Sequence, residues 1–411
     1  MQVLVGRIGF RRVGLFILHR AHRIRLNPTS EQEQYFWQCA NIARFTYNWA
    51  LGEYNTVLSR GEKPSVSKLK IEFNRLRYKE GFAPWINDVQ SYAHQYAFID
   101  LQVAISRYYN LHKADKLKPP LGWKPRKDGK PFGWPRFKAR DAVTPAFGLA
   151  NNGGIRCEGH SAYIQRCPKP VNMAEELRLD GRILSGRVSY TGGHWYLAVS
   201  VELPDPQPEP LSGKVGVDLG IKSLAVTSDG VVYENPKRLR NSQRKLKRLQ
   251  RELARREKGS SNYKKTKAKI GKAHQRIANQ RREVLHEMTT DLISSYGTVV
   301  IEDLNVKGML KNHHLAQAVS DAAFGEIRRQ LEYKAPAYGS QVVVAGRWFP
   351  SSKTCNDCGY KTNLTLADRT WVCLQCGVVH DRDVNAACNL RDYTSPEYSH
   401  GDAKRLGMAE E

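Results

Sequence analysis

The chain has 411 residues, with 65 Lys and Arg against 40 Asp and Glu, which gives a formal net charge of +25. Because 41% of its residues are hydrophobic, it can bury real cores, and this excludes a chain that is disordered throughout. The excess positive charge favours a polyanionic partner, with nucleic acid ahead of an anionic membrane; a basic protein without such a partner is the alternative.

The first 18 residues are only mildly apolar. Their best apolar stretch, residues 13–18, is shorter than the core of a signal peptide, so we interpret the segment as an optional extension. No apolar run in the sequence approaches the roughly 18 residues of a membrane-spanning helix. We therefore expect a soluble, intracellular protein with no membrane partner.

Residues 30–110 have the apolar spacing of a helical module. Ser30 and Glu33 form a capping-box signal, after which apolar residues recur every three or four positions. The same spacing predicts further helices over 66–77 and 87–109.

The next segment, 111–138, contains five prolines and is predicted to be a loop. Its basic residues alternate with aromatic ones, as in the neighbouring Trp134 and Arg136. That mixture suits contact with a strand of nucleic acid, since cations meet phosphates and rings stack on bases. The alternative is a hinge whose aromatic rings pack on a neighbouring domain.

Patterns typical of β-structure follow. Residues 182–203 alternate between apolar and polar around Gly192 and Gly193, which predicts a hairpin. Four prolines in 204–210 then mark a domain boundary, and residues 214–235 are predicted to form three antiparallel strands.

A basic helical hairpin is predicted over 237–282, which holds 19 Lys and Arg and only two acids. The basic side chains repel one another unless a polyanion neutralises them, so we expect this hairpin to contact nucleic acid. Its candidate contacts are Lys264, Lys265, Lys267 and Lys269. The rest of the chain is predicted to contain helices over 284–296, 320–338 and 383–391, strands over 298–304 and 341–346, and a polar tail.

Four of the eight cysteines form two pairs with the spacing of zinc ligands. Cys355 and Cys358 make one pair, Cys373 and Cys376 make the other, and 14 residues separate the two pairs. Two such knuckles close a tetrahedral Cys₄ site around Zn²⁺, and a site with no open position is structural rather than catalytic.

Three acids lie in or beside apolar segments. Asp218 interrupts an apolar strand, Glu302 ends one, and Asp383 begins the last helix. A carboxylate in such a place is costly unless it is paired or binds a cation, so the three suggest a cage for two Mg²⁺ ions that would cleave a phosphodiester. The alternative is that each is solvated or salt-bridged. The order of the elements resembles an RNase H-like sheet.

Together the segments VGVDLGIKSLAVTSDG, VVIEDLN, FPSSKTCNDCG, WVCLQCG and HDRDVNAACNL resemble the split RuvC motifs and zinc ribbon of the TnpB family of transposon-encoded, RNA-guided DNA endonucleases. The resemblance covers about residues 19–393. It implies that Asp218, Glu302 and Asp383 are the catalytic acids, with Asp303 and Asp381 ranked lower, and that the four cysteines bind zinc.

The resemblance also implies a multidomain α+β fold in a prokaryotic, cytoplasmic protein. Its partners would be a guide RNA transcribed from the transposon end and target double-stranded DNA beside a short flanking motif. The implied domains are an extension with the first wedge strand (1–29), a helical recognition module (30–130), a wedge β-barrel (131–203), a linker (204–212), a RuvC-like core (213–352), a zinc ribbon (353–380), a last RuvC segment (381–393) and a disordered tail (394–411).

Two other functions stay open at this point. A compact type V CRISPR effector would have the same chemistry, and the neighbourhood of the gene would distinguish it. A non-cleaving zinc-ribbon regulator or transposition accessory would use only the basic surfaces, and the complete set of three acids weighs against it.

Overall fold

The computed structural model describes residues 17–119, 123–126, 128–140, 143–204, 208–365 and 368–394. The predicted extension before residue 17 and the predicted tail after residue 394 lie outside the described residues. The chain divides into two compact units, Met1–Asp205 and Pro206–Glu411. Within the described ranges, no helix is both long and apolar enough to cross a membrane.

Among its described residues, the first unit contains three α-helices, namely α1 Ser30–Ser59, α2 Val66–Leu76 and α3 Tyr92–Lys113. The predicted capping box at Ser30 and Glu33 is wrong by one residue. Thr29 is the last extended residue, so its hydroxyl accepts from the backbone N–H of Gln32 while the Gln32 side chain accepts from the backbone N–H of Thr29. Helix α3 begins later than predicted because a short 3₁₀ turn, Pro84–Asp88, precedes it.

The sheet of the first unit consists of seven antiparallel strands, which are β1 Ile17–Asn27, β2 Ala146–Ala150, β3 Ile155–Glu158, β4 Ser161–Ile164, β5 Val171–Met173, β6 Arg182–Thr191 and β7 His194–Pro204. Their order in the sheet is β2-β6-β7-β1-β5-β4-β3. Strands β6 and β7 are the predicted hairpin. The sheet curls until β3 approaches β6, where a Cβ atom on Gly186 would lie 2.8 Å from the Ile155 side chain. It is therefore nearly closed.

A continuous aromatic core joins the helices of the first unit to this sheet. The Phe36 ring of α1 lies 5.8 Å from Phe147 and 5.2 Å from Trp195, measured between ring centroids. All three are almost fully buried. Burial of rings of this size stabilises the helical module against the barrel-like sheet.

The second unit contains a five-stranded mixed sheet, whose strands are β8 Lys214–Leu219, β9 Ser223–Thr227, β10 Val232–Glu234, β11 Thr298–Glu302 and β12 Gln341–Ala345. Their order in the sheet is β10-β9-β8-β11-β12. The first three are antiparallel, as predicted, and β11 runs parallel to both β8 and β12. A separate two-stranded ribbon pairs β13 Thr370–Val372 with β14 Val379–Asp381.

The helices of the second unit are α4 Arg238–Ala254, α5 Ser261–Ser295, α6 Val306–Met309, α7 Ala316–Ala322, α8 Phe324–Lys334 and α9 Arg382–Arg391. Helices α4 and α5 form the predicted basic hairpin. The separate helix predicted over 284–296 is wrong, because α5 continues through it with no glycine or proline between 272 and 295 to end it. The helix predicted over 320–338 is broken at Ala323, whose φ of 55° interrupts the helical path.

Candidate active site and metal centre

Two of the predicted acids lie at the carboxyl ends of adjacent parallel strands. Asp218 is the fifth residue of β8, and Glu302 is the last residue of β11. The register pairs Val217 with Ile301, so the residues that follow on the two strands are neighbours. The carboxyl edge of parallel strands is where an α/β sheet places its ligands.

Helix α9 carries the third acid, Asp383, as its second residue. The helix packs on β8 so closely that a Cβ atom on Gly216 would lie 1.9 Å from the carbonyl oxygen of Ala387. The small side chains of Ala386 and Ala387, both fully buried, leave room for this approach. Asp381 caps the helix by accepting backbone N–H groups of its first turn at 2.9 and 3.0 Å.

The electrostatics of Asp218 reflect both other acids. Burial, followed by the charges of Glu302 and Asp383, raises the pKa of Asp218 from 3.8 to about 7, while Arg382 and Arg369 act in the opposite direction. Like charges close together disfavour ionisation of the group between them. The carboxyl group of Asp218 is therefore held in a place where a cation would relieve the repulsion.

The other two acids already have hydrogen-bond donors. The Ser351 hydroxyl donates to Glu302, and Arg369 donates to both oxygens of Asp383 at 2.9 and 3.1 Å, with Arg382 at 3.2 Å. Among the described residues, the three carboxylates do not all come within 4.8 Å of one another. Sequence reasoning missed these three donors, although Ser351 lies in the FPSSKTC segment that carries the family resemblance.

Asp303, which the sequence analysis ranked below the three candidate catalytic acids, has ion-pair partners of its own. It forms ion pairs with Arg328 at 2.9 Å and with Arg347 at 2.6 Å. A carboxylate shared between two guanidinium groups joins the end of β11 to α8 and to the loop after β12.

The four predicted zinc ligands come together. Their sulfur atoms all lie within 4.8 Å of one another, with 3.7 Å between Cys355 and Cys376 and 3.5 Å between Cys358 and Cys373. Sulfur atoms around a tetrahedral ion with bonds of about 2.3 Å are separated by about 3.8 Å, so this donor set fits Zn²⁺. The cluster can hold a structural metal ion.

His380, which sequence reasoning did not single out, lies beside this cluster. Its Nε2 atom is 3.1 Å from the Cys355 sulfur and 3.5 Å from an oxygen of Asp357. The ring is buried against Trp371, with 4.6 Å between the ring centroids. It lies four residues after Cys376, outside the spacing of the two cysteine pairs, so the sequence gave no signal that it would contact the cluster.

The basic hairpin presents cations on both of its helices. Lys264, Lys265, Lys267 and Lys269 are exposed on α5. Helix α4 borders a groove of about 640 Å³ that the sequence did not predict. The residues lining it are Arg244, Lys247, Arg248, Arg251, Glu252, Arg255 and Arg256. Leu246 and Leu249 on α4 and Ile277 on α5 are buried, and the Thr266 hydroxyl of α5 donates to Glu252 of α4 at 2.9 Å.

The predicted contact of Trp134 with nucleic acid is wrong. Its ring is buried, 4.9 Å from that of Tyr108, and its indole N–H donates to Asn55 at 3.1 Å. A ring packed in this way has no free face for a base, which agrees with the alternative of a hinge packed on the helices. Arg136, two residues later, is exposed.

Three family models match the chain. Residues 197–313 match a model described as "Probable transposase" of the OrfB type, residues 324–390 match "Cas12f1-like, TNB domain", and residues 18–63 match "Helix-turn-helix domain". The last of these segments forms β1 and α1. A solved structure titled a Cas12f1–sgRNA–target DNA complex matches with a TM-score of 0.34 and 17% identity, covering 92% of this chain and 100% of that one. The class of protein that the first and third of these models describe is that of OrfB-type transposases.

Relatives match over nearly the whole chain. One from Streptomyces pristinaespiralis is 34% identical, covering 90% of this chain and 88% of the relative, and one from Mycobacterium tuberculosis is 31% identical, covering 92% and 87%. A third, InsQ of Escherichia coli, is 28% identical over 90% and 91%. All three bear the name "Putative RNA-guided DNA endonuclease". The chain belongs to this TnpB family of OrfB-type proteins.

Proposed function

We propose that the protein is a transposon-encoded, RNA-guided DNA endonuclease that cleaves double-stranded DNA beside a short flanking motif. The single observation that carries the proposal is the grouping of Asp218, Glu302 and Asp383. Two strand ends and one helix start, far apart in sequence, hold these acids, and the charges of Glu302 and Asp383 both act on Asp218. Membership of a family whose relatives bear this name supports the same conclusion.

The proposed fold of the second unit is RuvC-like. An antiparallel group of three strands followed by a parallel strand, with a helix packed on the sheet, is the order of an RNase H-like core. In this proposal the ribbon of β13 and β14 is a zinc ribbon inserted before the last RuvC segment, and α4 and α5 are an inserted basic hairpin. The first unit then supplies the helical recognition module and the wedge barrel, with the boundaries given above.

Asp218, Glu302 and Asp383 are the residues that would hold two Mg²⁺ ions, since carboxylate oxygens are the ligands these ions prefer. Bound Mg²⁺ ions would supply an activated water and stabilise the leaving oxygen of the phosphodiester. Burial and the charges of Glu302 and Asp383 already disfavour ionisation of Asp218, so a divalent cation held by the three carboxylates would relieve this repulsion.

The chain's own residues prepare this site. Ser351 fixes the orientation of Glu302, while Arg369 and Arg382 hold Asp383 and compensate its charge. Gly216 allows α9 to approach the strand that carries Asp218. The raised pKa of Asp218, about 7, places its proton where a divalent cation can displace it near neutral pH.

The proposed partners are a guide RNA from the transposon end and the target DNA. Exposed Lys264, Lys265, Lys267 and Lys269, the groove along α4 and exposed Arg136 are the surfaces offered to their phosphates. Base pairing of the guide would select the target, so the protein needs few base contacts of its own. The protein would act in the prokaryotic cytoplasm, at the nucleoid.

The test is purification with the co-expressed flanking RNA, followed by cleavage of matched and mismatched targets with Mg²⁺. We expect cleavage only of the matched target and none with the Asp218→Ala variant. Cutting that ignores the guide, or that persists in this variant, would overturn the proposal.

A compact CRISPR effector is the second candidate, favoured by the match of residues 324–390 to a Cas12f1-like domain. The two candidates predict different genomic surroundings of the gene. Adjacent transposon ends support the first, and an adjacent repeat array supports the second.

A further inference from the structure

The first cysteine pair is joined to helix α9 by asparagine side chains. Asn356 lies between the ligands Cys355 and Cys358, and its backbone N–H donates to the side-chain oxygen of Asn385 at 2.9 Å. Its own amide group donates to the side-chain oxygen of Asn389 at 3.3 Å. Both acceptors belong to α9.

The same two helix residues donate in the opposite direction. Asn385 donates to the carbonyl oxygen of Thr354 at 2.8 Å, and Asn389 donates to the carbonyl oxygens of Thr354 at 2.6 Å and Ser351 at 2.7 Å. Asn385 and Asn389 are four residues apart and therefore share one face of the helix. Each uses both its oxygen and its nitrogen, a pattern that only an amide provides.

These amides are buried, with exposures of 3% for Asn385 and 7% for Asn389. A buried polar group that loses its partner is costly, whereas a fully bonded network is rigid and specific. A helix that needed only to pack here would do so with leucine or alanine. The fixed geometry of the amides therefore points to positioning.

Both ends of the network reach the proposed acids. Ser351, whose carbonyl accepts from Asn389, donates its hydroxyl to Glu302. Asn385 lies two residues after Asp383 on the same helix. A movement of the first cysteine pair is therefore passed to two carboxylates through bonded neighbours.

We propose that Asn385 and Asn389 are positioning residues that couple closure of the cysteine cluster on its metal to the placement of Glu302 and Asp383. The catalytic meaning of this coupling rests on the proposed nuclease function. With the metal bound, the first cysteine pair is fixed, and the amides hold α9 and Ser351 in register with it. Without the metal, the same bonds join α9 to a mobile loop.

The experiment uses the full-length chain and compares wild type with Asn385→Asp and Asn389→Asp. Each aspartate keeps the size of the side chain but replaces the donor with a charged acceptor that faces backbone carbonyls. Asn363→Asp is the matched control, since this exposed asparagine of the same ribbon has no side-chain hydrogen bond within the described residues. Readouts are zinc content, the absorption spectrum with Co²⁺ in place of zinc, and hydrogen exchange of α9.

In wild type, removal of zinc with a chelator should speed exchange of the α9 amides at least tenfold while the amides of α1, in the other unit, stay unchanged. The two network variants should keep one metal and a tetrahedral thiolate spectrum but show fast exchange of α9 even with zinc. They should also need about ten times more Mg²⁺ for half-maximal guided cleavage. The Asn363 variant should match wild type throughout.

Three results would overturn the inference. One is slow exchange of α9 in zinc-free wild type, which needs no variant and so decides the matter even if a variant does not fold. Another is slow exchange of α9 in both network variants. The third is that the network variants lose both their zinc and the protection of the α9 amides from exchange. That result would mean that the asparagines only support the cysteine pair. Absence of cleavage in wild type would defeat the proposed nuclease function and leave the exchange result to decide the coupling.

Discussion

The cysteine cluster and the three acids differ in how closely their ligand atoms approach one another. The four sulfur atoms lie within 4.8 Å, whereas the carboxylates, all within the described part of the chain, do not converge in this way. Thiolates brought together by two backbone turns are ready for one ion, but carboxylates of like charge need cations to draw them together. The first arrangement suits an ion that holds the fold, and the second suits the proposed Mg²⁺ ions, which would offset the repulsion on Asp218.

Replacing Asp218 with Asn is expected to have the largest effect and to touch only the acidic site. Guided cleavage should fall by about 10³-fold or more, because the amide cannot supply the anionic ligand. Zinc content should stay at one per chain. The measurement is single-turnover cleavage of a matched target, with zinc assayed on the same sample.

The same substitution should raise the melting temperature in the absence of Mg²⁺. The pKa of Asp218 is raised in the folded chain, so its stabilisation is complete below pH 3.8 and is lost as the pH rises through about 7. At pH 8 the ionised group therefore destabilises the fold, and the amide does not. The matched control is Asp229→Asn, at an exposed turn beyond β9, which should keep cleavage. A lower melting temperature of the Asp218 variant would contradict the assigned repulsion.

Breaking the cysteine cluster should have the opposite effects on zinc content and stability from those of the Asp218 substitution. The Cys373→Ser variant is expected to lose zinc and about 3 kcal/mol or more of stability, because metal binding and folding of such a ribbon are one process. Cys157→Ser, at a half-buried cysteine on β3 outside the cluster, should keep zinc. The checks are metal analysis and thermal unfolding followed in parallel. Retention of zinc by the Cys373 variant would show that the other three cysteines suffice.

Gly216→Ala should affect both sites, because α9 is bonded to the cysteine pair and carries Asp383. The added Cβ would collide with the carbonyl oxygen of Ala387, and such overpacking costs about 1–3 kcal/mol. Gly271→Ala on α5 places its Cβ in open space and should be neutral or stabilising by up to about 1 kcal/mol. Denaturant unfolding compares the two, and equal stability would show that α9 shifts without strain.

Features set by local pattern were predictable from the sequence. The hairpin over 182–203, the three antiparallel strands over 214–235 and the two cysteine pairs follow from short-range alternation, glycines and spacing. The helix break at Ala323 could not be predicted, because the residue with positive φ is not a glycine. Helix α5 continues past residue 282 because no residue there ends it. Local pattern therefore reveals where elements can form better than where they end.

The partners of the acids could not be predicted in the same way. Arg369 and Ser351 reach their carboxylates from segments 14 and 49 residues away along the chain. Trp134 was wrongly expected to face nucleic acid because composition cannot show that Asn55 accepts its N–H. Spacing identifies ligands that share a turn, whereas the donors around a carboxylate depend on how distant segments pack.

The smallest expected effect is a pH dependence that distinguishes the two sites in wild type. A proton on Asp218 competes with Mg²⁺, and with a pKa of about 7 this competition is weak at pH 8 and strong at pH 6. The Mg²⁺ concentration for half-maximal cleavage should therefore rise about tenfold between pH 8 and pH 6, while the zinc content stays constant. Arg369→Gln sharpens the test, because Arg369 lowers the pKa of Asp218 and its loss should move the rise to higher pH. A Mg²⁺ requirement that is flat across this range would mean that Asp218 is already ionised without a cation, and that burial and the charges of Glu302 and Asp383 do not raise its pKa to this range.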